Sequence, residues 1–167
     1  MAFADSQSLI YTTALQDGMP DNLALLITAQ AAHETNGFTS NFFVNNNNAF
    51  GYSCVTGAKW QTGCGSNADN GAPIAVYASV PDSVHELTDW IKRRQSDGSF
   101  PADLSTIADA ATYAQFLKNA GYYGDTVANY TAGIENWFSD NIATVAIGGA
   151  GLLILGVILF LAFYKSK

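Results

Sequence analysis

The sequence predicts an α+β domain that is mostly helical, contains a small lobe of strands and loops, and is followed by one C-terminal transmembrane helix. Apolar residues recur at helical spacing in the first and last parts of residues 1–140. Residues 38–78 between them are dominated by Asn, Gly, Ser and aromatic residues, which is typical of short strands and loops. Residues 143–164 carry no charge, and about 20 apolar residues are enough to cross a bilayer.

The first two helices have recognisable ends. One is expected from Asp5 to Leu15. The next follows Pro20, a residue suited to the first turn of a helix, and ends at Glu34. Gly37 comes shortly afterwards, and glycine commonly occupies the left-handed position that terminates a helix.

One strand and a third helix are expected at the end of the polar middle segment. Ile74 to Tyr77 is a short apolar run that fits a strand. The third helix then begins with the capping-box spacing of Ser79 and Asp82, and Gly98 breaks it.

Two further helices complete the domain. A fourth is expected at residues 103–119, with Gly121 after its end, and Asp125 is expected to cap a fifth. The order along the chain is helices, then strands and loops, then helices, so we expect a cleft between a helical lobe and a small β lobe.

A domain boundary is expected near residue 140, with the domain at residues 1–140 and an anchor with a short basic tail at residues 141–167. Lys165 and Lys167 follow the apolar run, so the positive-inside rule predicts a cytoplasmic tail and a domain on the non-cytoplasmic side. The first residues show no signal-peptide pattern. Residues 143–164 are therefore expected to bind the lipid bilayer and to set the topology.

The charge balance argues against nucleic acid as a partner. All 14 acidic residues precede residue 141, whereas two of the seven basic residues lie in the tail. Because phosphate binding needs a basic surface, we expect no nucleic acid partner. Adhesion of the domain to anionic lipid headgroups is disfavoured for the same reason.

Cys54 and Cys64 are the only cysteines. An even number of cysteines in a domain predicted to lie outside the cytoplasm favours a disulfide, and two free thiols in a reducing compartment are the alternative. The two histidines are far away and there is no CxxC spacing, so we expect no metal site. We expect no cofactor either.

Glu34 is the strongest candidate for a catalytic residue. At about 100° per residue, its side chain falls on the same helical face as Leu23 and Ile27, where an unpartnered carboxylate is unfavourable. The negative end of the helix dipole and desolvation both oppose its ionisation. These effects favour a carboxyl group that keeps its proton near neutral pH, as a general acid must. A buried, hydrogen-bonded helix end without a catalytic role is the alternative.

Four segments resemble the glucosaminidases of glycoside hydrolase family 73, which belong to the lysozyme-like superfamily. Ala29–Phe38 is similar to their AQAALESGWG segment, and Asn48–Tyr52 to their NLFGIK loop. Ser79 and Ser83 after Tyr77 match a Y-x-S-x-x-x-S step. The closing YA…GY…Y…I pattern is matched by residues 113–134. The resemblance covers residues 20–137, and His33–Thr35 also resembles the HET segment of family 19 chitinases and phage endolysins.

The resemblance implies that Glu34 is the general acid that protonates the oxygen of a β-1,4 bond in peptidoglycan. The family's second carboxylate usually precedes the strand that ends at Tyr77, and Asp69 is the only acid between Thr35 and that residue. Asp69 is therefore the candidate base that activates water, although Asp-Asn-Gly is also an ordinary turn sequence. If Asp69 is not the base, three mechanisms remain open. The acetamido group of the substrate could assist, neutral groups could hold the water, or the chain could be a lytic transglycosylase that needs only one acid.

Aromatic side chains are candidates for sugar binding, because flat sugar faces stack on rings. The resemblance places four of them in the substrate cleft: Phe50, Tyr77, Tyr122 and Tyr130. Gly51 and Tyr52 of the NLFGIK-like loop are expected to contact the substrate as well. Trp60 and Tyr123 are further candidates from the residues alone. For each ring, packing in the core is the alternative.

Together these features predict a membrane-anchored peptidoglycan hydrolase of the endo-β-N-acetylglucosaminidase type. Its small size, the lack of a signal peptide and the lack of wall-binding repeats favour a phage protein, carried in the membrane of a lipid-containing virion for entry through the cell wall. A lytic transglycosylase that uses Glu34 alone is one alternative. An inactive peptidoglycan-binding or assembly protein is the other.

Overall fold

A helical body and a two-stranded lobe make up the computed structural model, which describes residues 3–67 and 71–148. Within these ranges, one 3₁₀ turn at Leu104–Thr106 precedes the fifth of six helices. The elements occur in the order α1 (Phe3–Gln16), α2 (Asp21–Glu34), α3 (Asn41–Asn46), β1 (Gln61–Asn67), β2 (Pro73–Tyr77), α4 (Val80–Ser96), α5 (Ala110–Asn119) and α6 (Val127–Gly148).

The second helix, α2, runs through the centre of the helical body. Every residue from Leu26 to Ala32 is buried, and both α1 and α6 pack against α2. Its composition explains this position: a helix that is apolar on all sides is stable only when it is surrounded. The sequence predicted a single buried face, whereas the structure buries α2 on all sides from Leu26 to Ala32.

The turn after α2 fixes the direction in which the chain leaves the core. Asn36, Gly37 and Phe38 all have positive φ angles, and the Gly37 amide donates to the Ala32 carbonyl at 2.8 Å. A Cβ atom at Gly37 would lie 2.7 Å from the ring of Trp137. Glycine is thus required by both conformation and space, and α2 ends at Glu34 as predicted.

The β lobe is a two-stranded antiparallel sheet whose second strand is the predicted one. β1 pairs with β2 so that Cys64 stands opposite Ala75. Cys54 and Cys64 form a disulfide with Cα atoms 5.3 Å apart, which ties the preceding loop to β1. The short helix α3 was not expected in this segment: the Ser40 hydroxyl caps it by accepting from the Phe43 amide at 3.2 Å.

Three predicted helix starts differ in detail from the structure. The Ser79 hydroxyl bonds to the Asp82 carboxylate rather than to the backbone. The predicted fourth helix is divided, because Asp103 caps the 3₁₀ turn and Asp109 caps α5 through the Thr112 amide. Carboxylates compete for free backbone amides and so favour caps over helix interiors. Thr126 rather than Asp125 accepts from the Asn129 amide at the start of α6.

The last helix crosses the predicted domain boundary without interruption. α6 continues beyond residue 140 to Gly148, and thus includes the first residues of the predicted span. Within residues 3–67 and 71–148, no helix combines the length and apolar character needed to cross a bilayer. Most of the segment 143–164 lies outside the described residues, so the transmembrane helix stays a prediction.

Candidate active site

The carboxyl group of Glu34 lies where three elements meet. Glu34 is the last residue of α2, and its side chain is half-buried. The Tyr130 hydroxyl on α6 donates to Oε1 at 2.5 Å. The other oxygen, Oε2, would be 3.7 Å from a Cβ atom built on Gly51. Oε1 is thus held by a hydrogen bond from inside the protein, whereas Oε2 faces a loop that has no side chain at Gly51.

Two opposing effects act on the protonation of Glu34. Burial raises the pKa of its carboxyl group, and the hydrogen bond from Tyr130 lowers that pKa by stabilising the carboxylate. The effect of burial is the larger, so the net pKa lies above the ordinary value of 4.5. The direction is the one expected from the sequence, although the hydrogen bond that opposes it was not foreseen.

The loop beside Glu34 is held in place by a buried asparagine. The Asn48 amide donates to the Tyr52 and Ala75 carbonyls at 2.9 and 3.1 Å, while its oxygen accepts from the Tyr52 amide at 3.1 Å. This network connects the loop to β2 and places Gly51, whose φ is +64°, next to the acid. Gly51 is exposed, and it places no side chain between Oε2 and the surface.

Tyr122 supports the same loop from the helical body. Its hydroxyl donates to the Phe50 carbonyl at 2.9 Å, and its ring packs edge-on against Tyr52 and Trp90. Burial raises the pKa of Tyr122 well above its ordinary range, so the hydroxyl keeps its proton and remains a donor. Tyr122 and Tyr52 are both half-buried, and each lies at the loop that flanks Glu34.

Two aromatic residues that were expected to bind sugar are packed inside the protein. Phe50 is 3% exposed and Tyr77 is 2% exposed, so neither ring has a free face for a sugar. The Tyr77 hydroxyl donates to Glu86 on α4 at 2.8 Å. The expectation of sugar stacking is therefore corrected for both rings, because Phe50 packs in the hydrophobic core and Tyr77 is buried with its hydroxyl bonded to α4.

Two further aromatic candidates have structural partners as well. The Trp60 ring lies over His85, with centroids 4.7 Å apart, and its Nε1 donates to Asp89 at 2.9 Å. Tyr123 stacks on Tyr130 at 3.8 Å between centroids. Trp60 joins the disulfide loop to α4, whereas Tyr123 covers the tyrosine that contacts the acid.

Tyr130 has a different role from the one that the resemblance implied. It is 5% exposed, and its hydroxyl is committed to Glu34 rather than available as a stacking ring. Gln30 and Tyr113, to which no role had been assigned, lie behind it and are fully buried. Gln30 precedes Glu34 by one helical turn, and this i, i+4 spacing of two polar residues in an apolar helix was the available signal.

Asp69, the candidate base, falls outside the described residues, between β1 and β2 in the chain. The structure therefore gives no position for it. Across residues 3–67 and 71–148, no group of three or more His, Cys, Asp or Glu side chains is arranged to hold a metal ion. Chemistry at the described part of the site can draw on one carboxyl group of raised pKa and the tyrosines around it.

The sequence matches a family model over most of its length. The model is that of the glucosaminidase family, described as mannosyl-glycoprotein endo-beta-N-acetylglucosaminidase, and it matches residues 17–142. The matched range includes Glu34, the loop around Gly51 and Tyr130. No curated protein matches the sequence.

Three solved structures share the fold. A C-terminally truncated glycoside hydrolase domain of FlgJ from Salmonella typhimurium is 25% identical, with 84% of this chain and 96% of that chain covered and a TM-score of 0.59. A peptidoglycan hydrolase from Sphingomonas sp. A1 is 17% identical, with 88% and 99% covered and a TM-score of 0.63. A type VI secretion system effector-immunity complex from Pseudomonas protegens contains a chain that is 22% identical, with 84% and 91% covered and a TM-score of 0.58.

Proposed function

We propose that this chain, which belongs to the glucosaminidase family of glycoside hydrolases, cleaves β-1,4 bonds in peptidoglycan with Glu34 as general acid. The family determines the type of enzyme. The structural neighbours include a peptidoglycan hydrolase, which supports peptidoglycan as the substrate. Cleavage of the endo-β-N-acetylglucosaminidase type breaks the bond between C1 of N-acetylglucosamine and the bridging oxygen. That oxygen receives the proton of Glu34, and water adds to C1.

One observation carries this proposal. Glu34 has a raised pKa, one of its oxygens accepts from Tyr130, and the other lies beside the exposed, side-chain-free Gly51. A general acid needs a carboxyl group that holds its proton more tightly than usual and a side open to the leaving oxygen, and the raised pKa of Glu34 and the exposed Gly51 beside it support both. An acid buried only as a helix cap would have no reason to keep one oxygen accessible.

Substitution of Glu34 by Gln tests the role directly. Glu34→Gln keeps the shape of the side chain and removes its acidic proton, so we expect clearing of peptidoglycan in a zymogram to fall at least 100-fold, within the range typical of general acids, roughly 10²–10⁴. Glu135→Gln, which alters an exposed carboxylate of α6, is the matched control and should clear normally. Equal clearing by both variants would remove Glu34 from the mechanism.

Lytic transglycosylase activity is the second candidate. It is favoured by the scarcity of acids in the β lobe, where Asp69 is the only one between Thr35 and Tyr77. In that reaction Glu34 first protonates the leaving oxygen and then, as the carboxylate, accepts the proton of the substrate's own 6-hydroxyl. Mass spectrometry of digested peptidoglycan separates the two. Reducing N-acetylglucosamine ends indicate the hydrolase, and anhydromuramic ends indicate the transglycosylase.

Asp69 is the proposed base for the hydrolytic reaction. Asp69→Asn should reduce hydrolysis strongly if this carboxylate activates water, and should have little effect if the acetamido group of the substrate assists instead. In both cases the proton donated by Glu34 is required.

We also propose that residues 143–164 anchor the enzyme in a bilayer, with the catalytic domain on the non-cytoplasmic side. The uninterrupted course of α6 supports this, since no loop separates the domain from the start of the apolar segment. Tyr130 and Ala143 are 13 residues apart on α6, so the site would lie roughly 20 Å along the helix from the start of that segment. Tethering raises the local concentration of an enzyme near the wall.

The membrane of a lipid-containing virion is the proposed location of this anchor. A peptidoglycan hydrolase held in such a membrane would open the cell wall during entry. Cofractionation of the protein with lipid-containing particles is the expected result, and its recovery only from uninfected cells would contradict this location.

A further inference from the structure

A chain of buried hydrogen bonds leads from α5 through α2 to the catalytic acid. The Tyr113 hydroxyl donates to Oε1 of Gln30 at 2.6 Å. Nε2 of Gln30 donates to the Tyr130 hydroxyl at 3.1 Å. The Tyr130 hydroxyl then donates to Oε1 of Glu34 at 2.5 Å. Tyr113 and Gln30 are fully buried, and Tyr130 is 5% exposed.

The orientation of the Gln30 amide gives this chain one direction. An amide oxygen only accepts and an amide NH₂ only donates, whereas a tyrosine hydroxyl does both. Because Tyr113 donates to the amide oxygen, the NH₂ group is turned toward Tyr130. The Tyr130 oxygen then acts as the acceptor for Gln30, and its proton is directed to Glu34.

The reverse direction would be harmful to an acid catalyst. If the Gln30 amide turned around, Tyr130 would donate to Gln30, and protonated Glu34 would donate from Oε1 to Tyr130. The acidic proton would then be on the inner oxygen. Only Oε2 lies beside Gly51, so a proton on Oε1 would be on the oxygen turned away from that side.

We propose that Gln30 and Tyr113 are positioning residues that fix the direction of the Tyr130 hydroxyl, so that Glu34 accepts through Oε1 and holds its transferable proton on Oε2. The inference rests on the proposed role of Glu34 as general acid. During the reaction the Oε2–H bond breaks and a bond from that proton to the glycosidic oxygen forms. The resulting carboxylate retains the Tyr130 hydrogen bond, which is stronger to a charged acceptor than to a neutral one.

Three tyrosines face Glu34 from the surrounding elements: Tyr113 on α5, Tyr122 after α5, and Tyr130 on α6. Burial raises the pKa of Tyr113 and of Tyr122 well above the ordinary range, and it raises that of Tyr130 in the same direction. All three are therefore neutral at working pH. On α2 itself His33 is the adjacent titratable group, and burial lowers its pKa.

The test measures the pH above which activity declines, together with the pKa of Glu34 from the ¹³C signal of its carboxyl group in the free protein. Tyr113→Phe removes the hydrogen bond that holds the Gln30 amide oxygen on the side of α5, so the amide can turn and the reverse direction becomes available to the protonated acid. We expect the pKa of Glu34 and the alkaline limit of activity to rise together by up to about one unit, with a lower kcat at the optimum.

Three further variants make the result specific. Tyr130→Phe removes the final donor, so it should raise the pKa of Glu34 by about one to two units. Tyr113→Phe added to Tyr130→Phe should then cause no further rise. Gln30→Met weakens the Tyr130 hydrogen bond by removing its polarising partner, and it should shift the pKa in the same direction if Tyr113→Phe does not fold.

Tyr11→Phe is the matched control. Its hydroxyl also bonds to a carboxylate, that of Asp21, which lies in the first turn of α2 at the opposite end from Glu34. This variant should leave the pKa of Glu34 unchanged.

A Tyr113→Phe protein that is less stable but has an unshifted Glu34 pKa would overturn the positioning role, as would equal shifts from Tyr11→Phe. The carboxyl titration needs no substrate. Failure of the proposed function would instead appear as wild-type protein that clears no peptidoglycan.

Discussion

The raised pKa of Glu34 has a consequence for stability as well as for chemistry. In the folded protein burial keeps the proton on Glu34, whereas the unfolded chain releases it near the ordinary pKa of 4.5. The folded state therefore binds more protons above that pH, and its stability falls as the pH rises through the folded pKa. A buried carboxyl group of raised pKa in this position thus lowers the stability of the fold at neutral pH.

We expect Glu34→Gln to be more stable than the wild type at pH 8, because the amide has no charged form to desolvate. The difference in Tm between the two proteins should be smallest at pH 4 and should grow toward pH 8. Thermal melts at both pH values, in buffers of matched ionic strength, provide the measurement. A difference in Tm that is independent of pH would contradict the burial of Glu34.

Gly51 is the second residue whose identity the site requires. Gly51→Ala puts a methyl group at van der Waals distance from Oε2 of Glu34, at a φ of +64° that disfavours any side chain. We expect a loss of stability of about 1–2 kcal/mol from the backbone and, in addition, a loss of activity because access to the acid is reduced.

Gly57→Ala separates the two effects. Gly57 has a φ of +80° and nothing within 4 Å of a Cβ atom, so it shares the backbone penalty without approaching the site. Activity assays and urea denaturation should show similar destabilisation in both variants, with reduced activity only in Gly51→Ala. Equal activity in both would mean that access to Oε2 is not limiting.

At the scale of elements, the packing of α6 on α2 determines where the acid's partner stands. Gly133 on α6 lies against the His33 ring, and a Cβ atom there would overlap the imidazole. His33 also contacts the edge of the Tyr130 ring, with centroids 5.3 Å apart. The absence of a side chain at Gly133 thus allows α6 to approach closely enough for Tyr130 to reach Glu34.

Gly133→Ala should destabilise the protein by about 1–3 kcal/mol, because it overpacks this helix contact. Activity should fall more than the folded fraction does, since Tyr130 lies one turn away on the same helix. Gly124→Ala is the control, because nothing lies within 4 Å of a Cβ atom at that position. Denaturant titration and zymography of both variants provide the measurements, and normal activity in folded Gly133→Ala would refute the coupling.

At the scale of the whole molecule, the proposed anchor would determine where the enzyme acts. Arginine near the centre of a span opposes insertion by about 2.5–3.5 kcal/mol per residue. Replacing both Ile154 and Leu155 with Arg should therefore release the full chain from membranes washed with alkaline carbonate, whereas the wild type should stay in the pellet.

Ser166→Arg adds a positive charge outside residues 143–164 and should remain in the pellet. Zymogram activity of the released double variant should persist, because the catalytic domain does not depend on the bilayer for its chemistry. Release of all three proteins by the carbonate wash would contradict the anchor.

Much of the element pattern could be read from the sequence, because it depends on local rules. α1, α2 and β2 were predicted nearly residue for residue, since Pro20, Gly37 and the apolar run before Tyr77 act through the local backbone. The fourth helix was predicted too long, because two capping Asp residues compete for its start. The six-residue α3 was missed, since so short a helix has almost no periodic signal.

The sequence by itself determined the glucosaminidase-like order of motifs and the acid at the end of an apolar helix, because family patterns, helical periodicity and chain terminators are local properties. The tertiary structure decided which polar groups meet. Tyr130 lies 96 residues from Glu34 in the sequence, and Tyr113 lies 83 from Gln30. Hydrogen bonds over such separations arise only when α2, α5 and α6 pack together. The same packing decides which aromatic rings lie in the core and which contact Glu34.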